Sequence, residues 1–335
     1  MSDSCTHTGN LTTAIVTCND EQFTPYIFNN NTRQQFQALS YVLILTSVVG
    51  TVLNFTVLMA MFPTRSNHRL HLNKFLMTLT LIDLLAASVG LPIYAHYDLL
   101  LSEGAFCCNI GNILLTVLYP LILMSITTIA AINLQLCMAI LRPFLYDSEP
   151  NRQLSPPALA TVNSIWLLFT VLAVHVYPHW WTTFRMVSGI FALLVYITIS
   201  CLHFFICRES RRIRKRSQSN ASLACTSVTQ KTIRLASSVL ISFGLLYLPY
   251  TILSIYTTIF PITPYINTYF DTWAELIGIT TCVCNPILYC IRLDSVRRSI
   301  KQRLWGKKGI DTDRSYVSNS MREPTNRPTV PHTIS

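Results

Sequence analysis

Long apolar runs alternate with short polar segments along this chain. Seven runs are each long enough to cross a bilayer, which takes about 20 mostly apolar residues. They are 38–62, 72–95, 106–141, 157–177, 186–207, 233–260 and 267–291. The run 106–141 has room for a tilted span and an extension beyond the membrane. Lipid offers the backbone no hydrogen bonds, so runs of this length must fold as helices. The pattern predicts an all-α membrane protein, a seven-transmembrane helix bundle. Residues 1–36 are polar and lack the apolar core of a cleavable signal peptide, so the first run is expected to direct insertion.

Composition agrees. The chain is 51% hydrophobic and 12% charged, against about 25% charged in soluble domains. The net charge of +10 is unevenly spread. The head carries Arg33 against Asp3, Asp20 and Glu21, and the segment after the second run carries Asp98 and Glu103. Basic residues gather after the first run (Arg65, Arg69, Lys74), after the fifth (Arg208 to Arg216) and in the tail. By the positive-inside rule the head lies outside and the tail in the cytoplasm. The expected location is the plasma membrane, multi-pass. Sequons at Asn10 and Asn30 fit an outside head and are the candidate glycosylation sites. The expected parts are an extracellular segment 1–36, the bundle 37–293, an amphipathic membrane-surface helix 294–305 and a disordered cytoplasmic tail 306–335. The basic runs lie against lipid, so the bilayer is the expected partner and nucleic acid is not. The eleven cysteines do not form a disulfide framework, since most fall in or beside apolar runs.

The polar residues inside the runs carry the chemistry. Asp83 is a carboxylate in the middle of the second run, and intramembrane acids usually serve function. Asn54 lies in the first run, four residues after Gly50. The seventh run ends in Asn285-Pro286-Ile287-Leu288-Tyr289, where Pro286 removes a backbone donor from the helix. The sixth reads Phe243-Gly244-Leu245-Leu246-Tyr247-Leu248-Pro249. Phe243 and Tyr247 share a face, and Pro249 should kink the helix. After Tyr289, Leu293, Val296, Ile300 and Leu304 make one apolar stripe on a basic helix, suited to lie on the membrane surface.

Together these motifs resemble the rhodopsin-like (class A) G-protein-coupled receptors over roughly residues 38–305. The resemblance implies a receptor that transduces an extracellular signal by a switch of helices six and seven. It implies that Asn54, Asp83 and Asn285, with Ser125 from the third helix, form an inner polar cluster that holds a sodium ion, a hard cation suited to oxygen ligands. It implies that Phe243, Tyr247, Pro249, Pro286 and Tyr289 form the activation switch. No other cofactor or metal is expected, and no nucleophile–base spacing suggests an enzyme. The implied partners are an extracellular ligand and a heterotrimeric G protein. A transporter or channel is the alternative class, but only ten glycines occur and intramembrane charges are few.

The chain also departs from the family. The third-helix Asp-Arg-Tyr motif is missing: Leu136, or Leu134 in another alignment, stands where the arginine belongs, so coupling that is weak, constitutive or absent stays open. The short segment Tyr177 to Arg185 has no cysteine to pair with the third helix. Cys5, Cys18, Cys107 and Cys108 are the disulfide candidates, with a bridge inside the head or from the head to Cys107 or Cys108 both open. Span five lacks the family's proline, while span three carries Pro120. Amine receptors place an acid in the outer third helix, and none is present. Retinal pigments need a lysine in the seventh helix, and none is present. The ligand-pocket candidates are Glu275, Asp271 and Tyr247. Glu275 lies about 15 Å toward the outside from Asn285 by helical rise.

Overall fold

A computed structural model describes residues 6–7, 30–62, 71–141, 156–176, 181–217, 223–260, 264–292 and 294–305. Among the described residues, seven helices are long and apolar enough to cross a membrane. They are span one (Asn30–Met61), span two (Lys74–Ser102), span three (Asn109–Gln135), span four (Pro157–Val176), span five (Thr183–Glu209), span six (Ser237–Tyr256) and span seven (Thr272–Arg292). The protein is an all-α seven-transmembrane bundle. The end that bears residues 1–36 is called the head end below, and the other the basic end.

The bundle places apolar side chains outward and small or polar ones inward, as a lipid solvent requires. Span one exposes Tyr41, Ile44, Leu45, Val48, Val52 and Phe55 while burying Leu43, Ser47, Gly50, Asn54 and Val57. The buried set recurs at spacings of four and three, one stripe of a helix. Lipid gives no hydrophobic drive for helices to associate, so close packing and interhelical hydrogen bonds must hold them. Ser47 Oγ donates to the Ala87 carbonyl of span two at 2.8 Å. A Cβ on Gly50 would stand 3.0 Å from Ala87 Cβ and 3.3 Å from Cys282 Sγ, so spans one, two and seven meet there. Gly50→Val is expected to pry this junction apart and to lower stability by about 1–3 kcal/mol, read as a fall in Tm of the purified protein.

Several elements exceed their sequence-based bounds. Span two was expected to end near residue 95. The helix instead passes through a π turn, Ala86–Gly90, and continues as Leu91–Ser102. Pro92 falls in the first turn after the π segment, where a missing N–H is tolerated. Leu91, Tyr94, Ala95, Asp98 and Leu101 are all buried. Their helical spacing carries the inward stripe past the point where His96 and Asp98 interrupt the apolar run. Asp98 is therefore not a loop acid; it is only 1% exposed.

The fifth helix runs Trp181–Ser217 and the sixth Leu223–Ile259. The basic stretch after span five is thus helical, with Arg212 reaching back to Glu209 at 3.3 Å. The seventh is broken at Thr280 into Pro264–Ile279 and Thr281–Arg292, and the Thr280 carbonyl accepts from both Val283 N and Cys284 N at 3.0 Å. The expected amphipathic helix forms as Asp294–Trp305. Val296 is buried and Ile300 packs on the bundle core; Leu293 and Leu304 lie outside the described side chains.

At the head end, Thr6–His7 pairs antiparallel with Ala105–Phe106, Thr6 opposite Phe106 and His7 opposite Ala105. Gly104 just before that pair has φ 77°, a left-handed conformation that glycine adopts without a Cβ penalty. The rest of the head and the tail after 305 lie outside the described residues.

Candidate functional site

The polar residues expected to cluster do converge. Asn285 Nδ2 donates to Asp83 Oδ2 at 2.8 Å. Ser125 Oγ donates to Asp83 Oδ1 at 3.2 Å. Spans two, three and seven are thereby joined at one buried carboxylate. Asn54 belongs to the same region but does not touch Asp83 directly in the hydrogen-bond network. Its Nδ2 donates to the Gly50 carbonyl at 2.9 Å and to the Cys282 carbonyl at 2.7 Å. Cys282 lies one turn before Asn285 and Pro286, where a helix carries loosened backbone bonds; Pro286 cannot donate to that same carbonyl. Asn54 thus supplies the donor that the proline withholds. Its own Oδ1 has no hydrogen-bond partner, and all four side chains are buried.

Toward the head end the aromatic residues expected to form the switch stack. Phe243 and Tyr247 have ring centroids 5.0 Å apart, and Tyr196 of span five lies 5.8 Å from Phe243. Thr281 Oγ1 donates to Tyr247 Oη at 2.9 Å, tying spans six and seven one turn from the Asp83 bond. Gly244 makes the close approach of spans five and six possible, since a Cβ there would overlap the Tyr196 hydroxyl. Gly244→Ala is expected to displace the Tyr196 ring and weaken the contact of spans five and six, costing about 1–3 kcal/mol; the pair Gly244→Ala with Tyr196→Phe should recover much of the lost Tm.

Toward the basic end, Tyr289 is completely buried and its Oη has no hydrogen-bond partner. Asn133 and Gln135 of span three are also buried, while Leu134 is 41% exposed. Leu134 thus faces out of the bundle. The side chain of Leu136 lies outside the described ones. His203 of span five bonds Ser237 of span six at 2.7 Å, a tie between helices. His175 does the same with Thr116 at 2.8 Å.

At the head end, Glu275 Oε2 accepts from Tyr94 Oη at 3.0 Å. Tyr119 of span three shares a hydrogen bond with Ser188 at 2.8 Å and packs on Phe184. Asp271 lies on the seventh helix with its side chain outside the described ones. Asn30 is the first residue of span one and exposed; Asn10 lies outside the described residues. Cys107 is buried and disulfide-bonded. Cys5 and Cys18 lie outside the described residues, as does the side chain of Cys108. Cys137, Cys201, Cys207, Cys282, Cys284 and Cys290 are free thiols.

Residues 174–289 match the family model described as 7 transmembrane receptor (rhodopsin family). The matched segment ends on Tyr289, and it contains Tyr196, Phe243, Tyr247, Pro249, Glu275 and the Asn285–Tyr289 motif. Seven spans frame it. Part of this seven-span bundle is thus similar to the rhodopsin-family receptors. No curated protein matches it. The family match covers about a third of the chain and leaves out spans one to three and most of span four. Asp98 is the residue that charge counting misplaced. The signal that would have found it is the repeat Leu91, Tyr94, Asp98, Leu101, which continues the buried stripe of span two.

Proposed function

We propose that this protein is a cell-surface receptor, head outside, whose outer ligand biases a two-state bundle through spans six and seven. Its central support is the buried chain of contacts at Asp83. Ser125 and Asn285 bond it from two other spans, and one turn away Thr281 bonds Tyr247 of the sixth span, two residues before Pro249. A shift of span seven must rearrange both bonds together. Ligand at the head end acts by binding one arrangement more tightly than the other, and no catalytic chemistry is needed. The head-end carboxylate Glu275, held by Tyr94, is the proposed contact for a ligand cation.

Toward the basic end the family's third-helix arginine is replaced, and Tyr289 Oη stands without a partner in the same region. We read this as a receptor with its switch intact and its G-protein contact reduced. A charge-assisted hydrogen bond contributes about 1.5–3 kcal/mol, so Leu136→Arg is expected to raise ligand-independent signalling by roughly 10- to 100-fold. Equal signalling from the chain and the variant contradicts the proposal.

Sodium at Asp83 belongs to the same proposal. Asp83 offers both carboxylate oxygens, and Ser125 and Asn54 offer further oxygen donors nearby. Asp83→Asn is expected to abolish any sodium dependence of ligand affinity; a dependence that survives the substitution removes sodium from this site.

A further inference from the structure

Near its basic end the fifth helix carries a cavity of about 300 Å³, lined by Phe204, Cys207, Arg208, Arg211 and Arg212. The last four follow Phe204 at three, four, seven and eight residues, so all five share one helical face. That face changes character along its length. Phe204 stands in the apolar run 186–207 and is 65% exposed, as a lipid-facing ring would be. Arg208, Arg211 and Arg212 lie just beyond the run and are exposed. The cavity therefore straddles the level where the helix leaves lipid.

The three cations are poorly balanced by the protein. Glu209 bonds Arg212 at 3.3 Å. Arg208 and Arg211 have no ion pair among the described residues. A guanidinium meets phosphate oxygens with paired N–H donors, and it sheds water more readily than an ammonium does. A soluble anion would use the arginines and gain nothing from Phe204. A lipid with one phosphate would use Phe204 and answer about one guanidinium. A lipid with several phosphates does both, its acyl chain beside Phe204 and its phosphates against the arginines.

We infer that this cavity is a site for a phospholipid whose headgroup carries several phosphates. The inference rests on the basic end facing the cytoplasm, where the anionic phosphoinositide lipids reside. It goes beyond a general attraction of basic residues to the membrane by naming one helical face and one headgroup chemistry.

Cys207 makes the site readable. It is a half-buried free thiol in the wall of the cavity, so an occupant should shield it from a water-soluble maleimide. The test uses the full chain in nanodiscs and follows alkylation of Cys207 by peptide mass spectrometry. The lipids are phosphatidylcholine alone, phosphatidylcholine with about 5 mol% phosphatidylinositol bisphosphate, and phosphatidylcholine with phosphatidylserine at matched total charge. The phosphoinositide is expected to slow alkylation about tenfold, since protection follows one plus concentration over Kd. Phosphatidylserine should slow it by less than about twofold, and soluble inositol trisphosphate at equal concentration should do no more. Arg208→Gln with Arg211→Gln is expected to lose the protection. Both residues are exposed, so the variant should fold normally. Each protein is read as the ratio of its rates in two lipids, which cancels any direct effect on the thiol. Lys301→Gln with Arg303→Gln, on the amphipathic helix Asp294–Trp305, should keep the protection.

The inference is overturned by equal rates with and without the phosphoinositide, by equal protection from phosphatidylserine or the soluble headgroup, by protection that survives Arg208→Gln with Arg211→Gln, or by its loss in the Lys301 and Arg303 pair. Nanodiscs expose both ends of the protein and the assay holds no ligand or G protein, so its failure leaves the receptor reading standing. Antibody access to a tail tag on intact cells measures the orientation separately.

Discussion

Replacing Asn285 with leucine is expected to lower stability more than any other single substitution in the bundle. Asn285 supplies the shorter of the two hydrogen bonds to Asp83, at 2.8 Å. A hydrogen bond to a charged group is worth about 1.5–3 kcal/mol, and the Asp83 oxygen left buried without its donor adds a desolvation cost. Whole-domain stabilities of about 5–15 kcal/mol leave little margin for such a loss. The expected result is a large fall in Tm and in the surface-exposed fraction in cells. Part of the effect has a second source: Asn285 precedes Pro286, in a helix already short of one donor, and Asn54 reaches the Cys282 carbonyl there at 2.7 Å. Adding Asp83→Leu in the Asn285→Leu background should restore much of the lost Tm, since the carboxyl oxygen that lost its donor is then gone. A single variant as stable as the native chain would mean that Asp83 does not depend on Asn285.

Cys107→Ser is expected to have the next largest effect. Cys107 is 3% exposed and disulfide-bonded, next to the strand Ala105–Phe106 that pairs with Thr6–His7. Loss of a native disulfide typically costs about 2–5 kcal/mol. Thermal melts with and without dithiothreitol separate the disulfide from simple packing. The reductant should lower the Tm of the native protein toward that of Cys107→Ser and leave the variant unmoved. A variant that is still sensitive to reductant would show that some other disulfide carries the stability, since the free thiols Cys137, Cys282, Cys284 and Cys290 cannot respond in this way.

The architecture was legible because lipid enforces it. A span must be a helix, so an apolar run of sufficient length already implies its structure, and the expected spans three and four agree with the helices to within a few residues. The inner cluster was legible for a related reason: Asp83, Asn54 and Asn285 are conspicuous in apolar sequence, and their burial cost requires hydrogen-bond partners. The ends of helices were less legible. Hydropathy falls where a helix leaves lipid, yet burial inside the bundle continues, so hydropathy alone places Asp98 of span two in a loop. Hydropathy places the basic residues 208–216 in a loop for the same reason, although a helix continues through them. The pairing of Thr6–His7 with Ala105–Phe106 has almost no sequence signal, because two residues carry no period. The role of Asn54 was only half legible; that it bonds a span-seven carbonyl rather than the acid follows from the geometry around Pro286.

The central claim is that the Asp83 cluster and the Pro249-bearing sixth span form one two-state element. It is tested most directly by the distance between spin labels at Lys74 and Arg234, both exposed near the basic ends of spans two and six. Measured by double electron–electron resonance on the full chain in nanodiscs, the native protein is predicted to show two distances. Sodium should enrich the shorter over potassium at equal ionic strength, and Asp83→Asn should remove that bias. A single distance, identical in both salts and in the variant, would contradict the account.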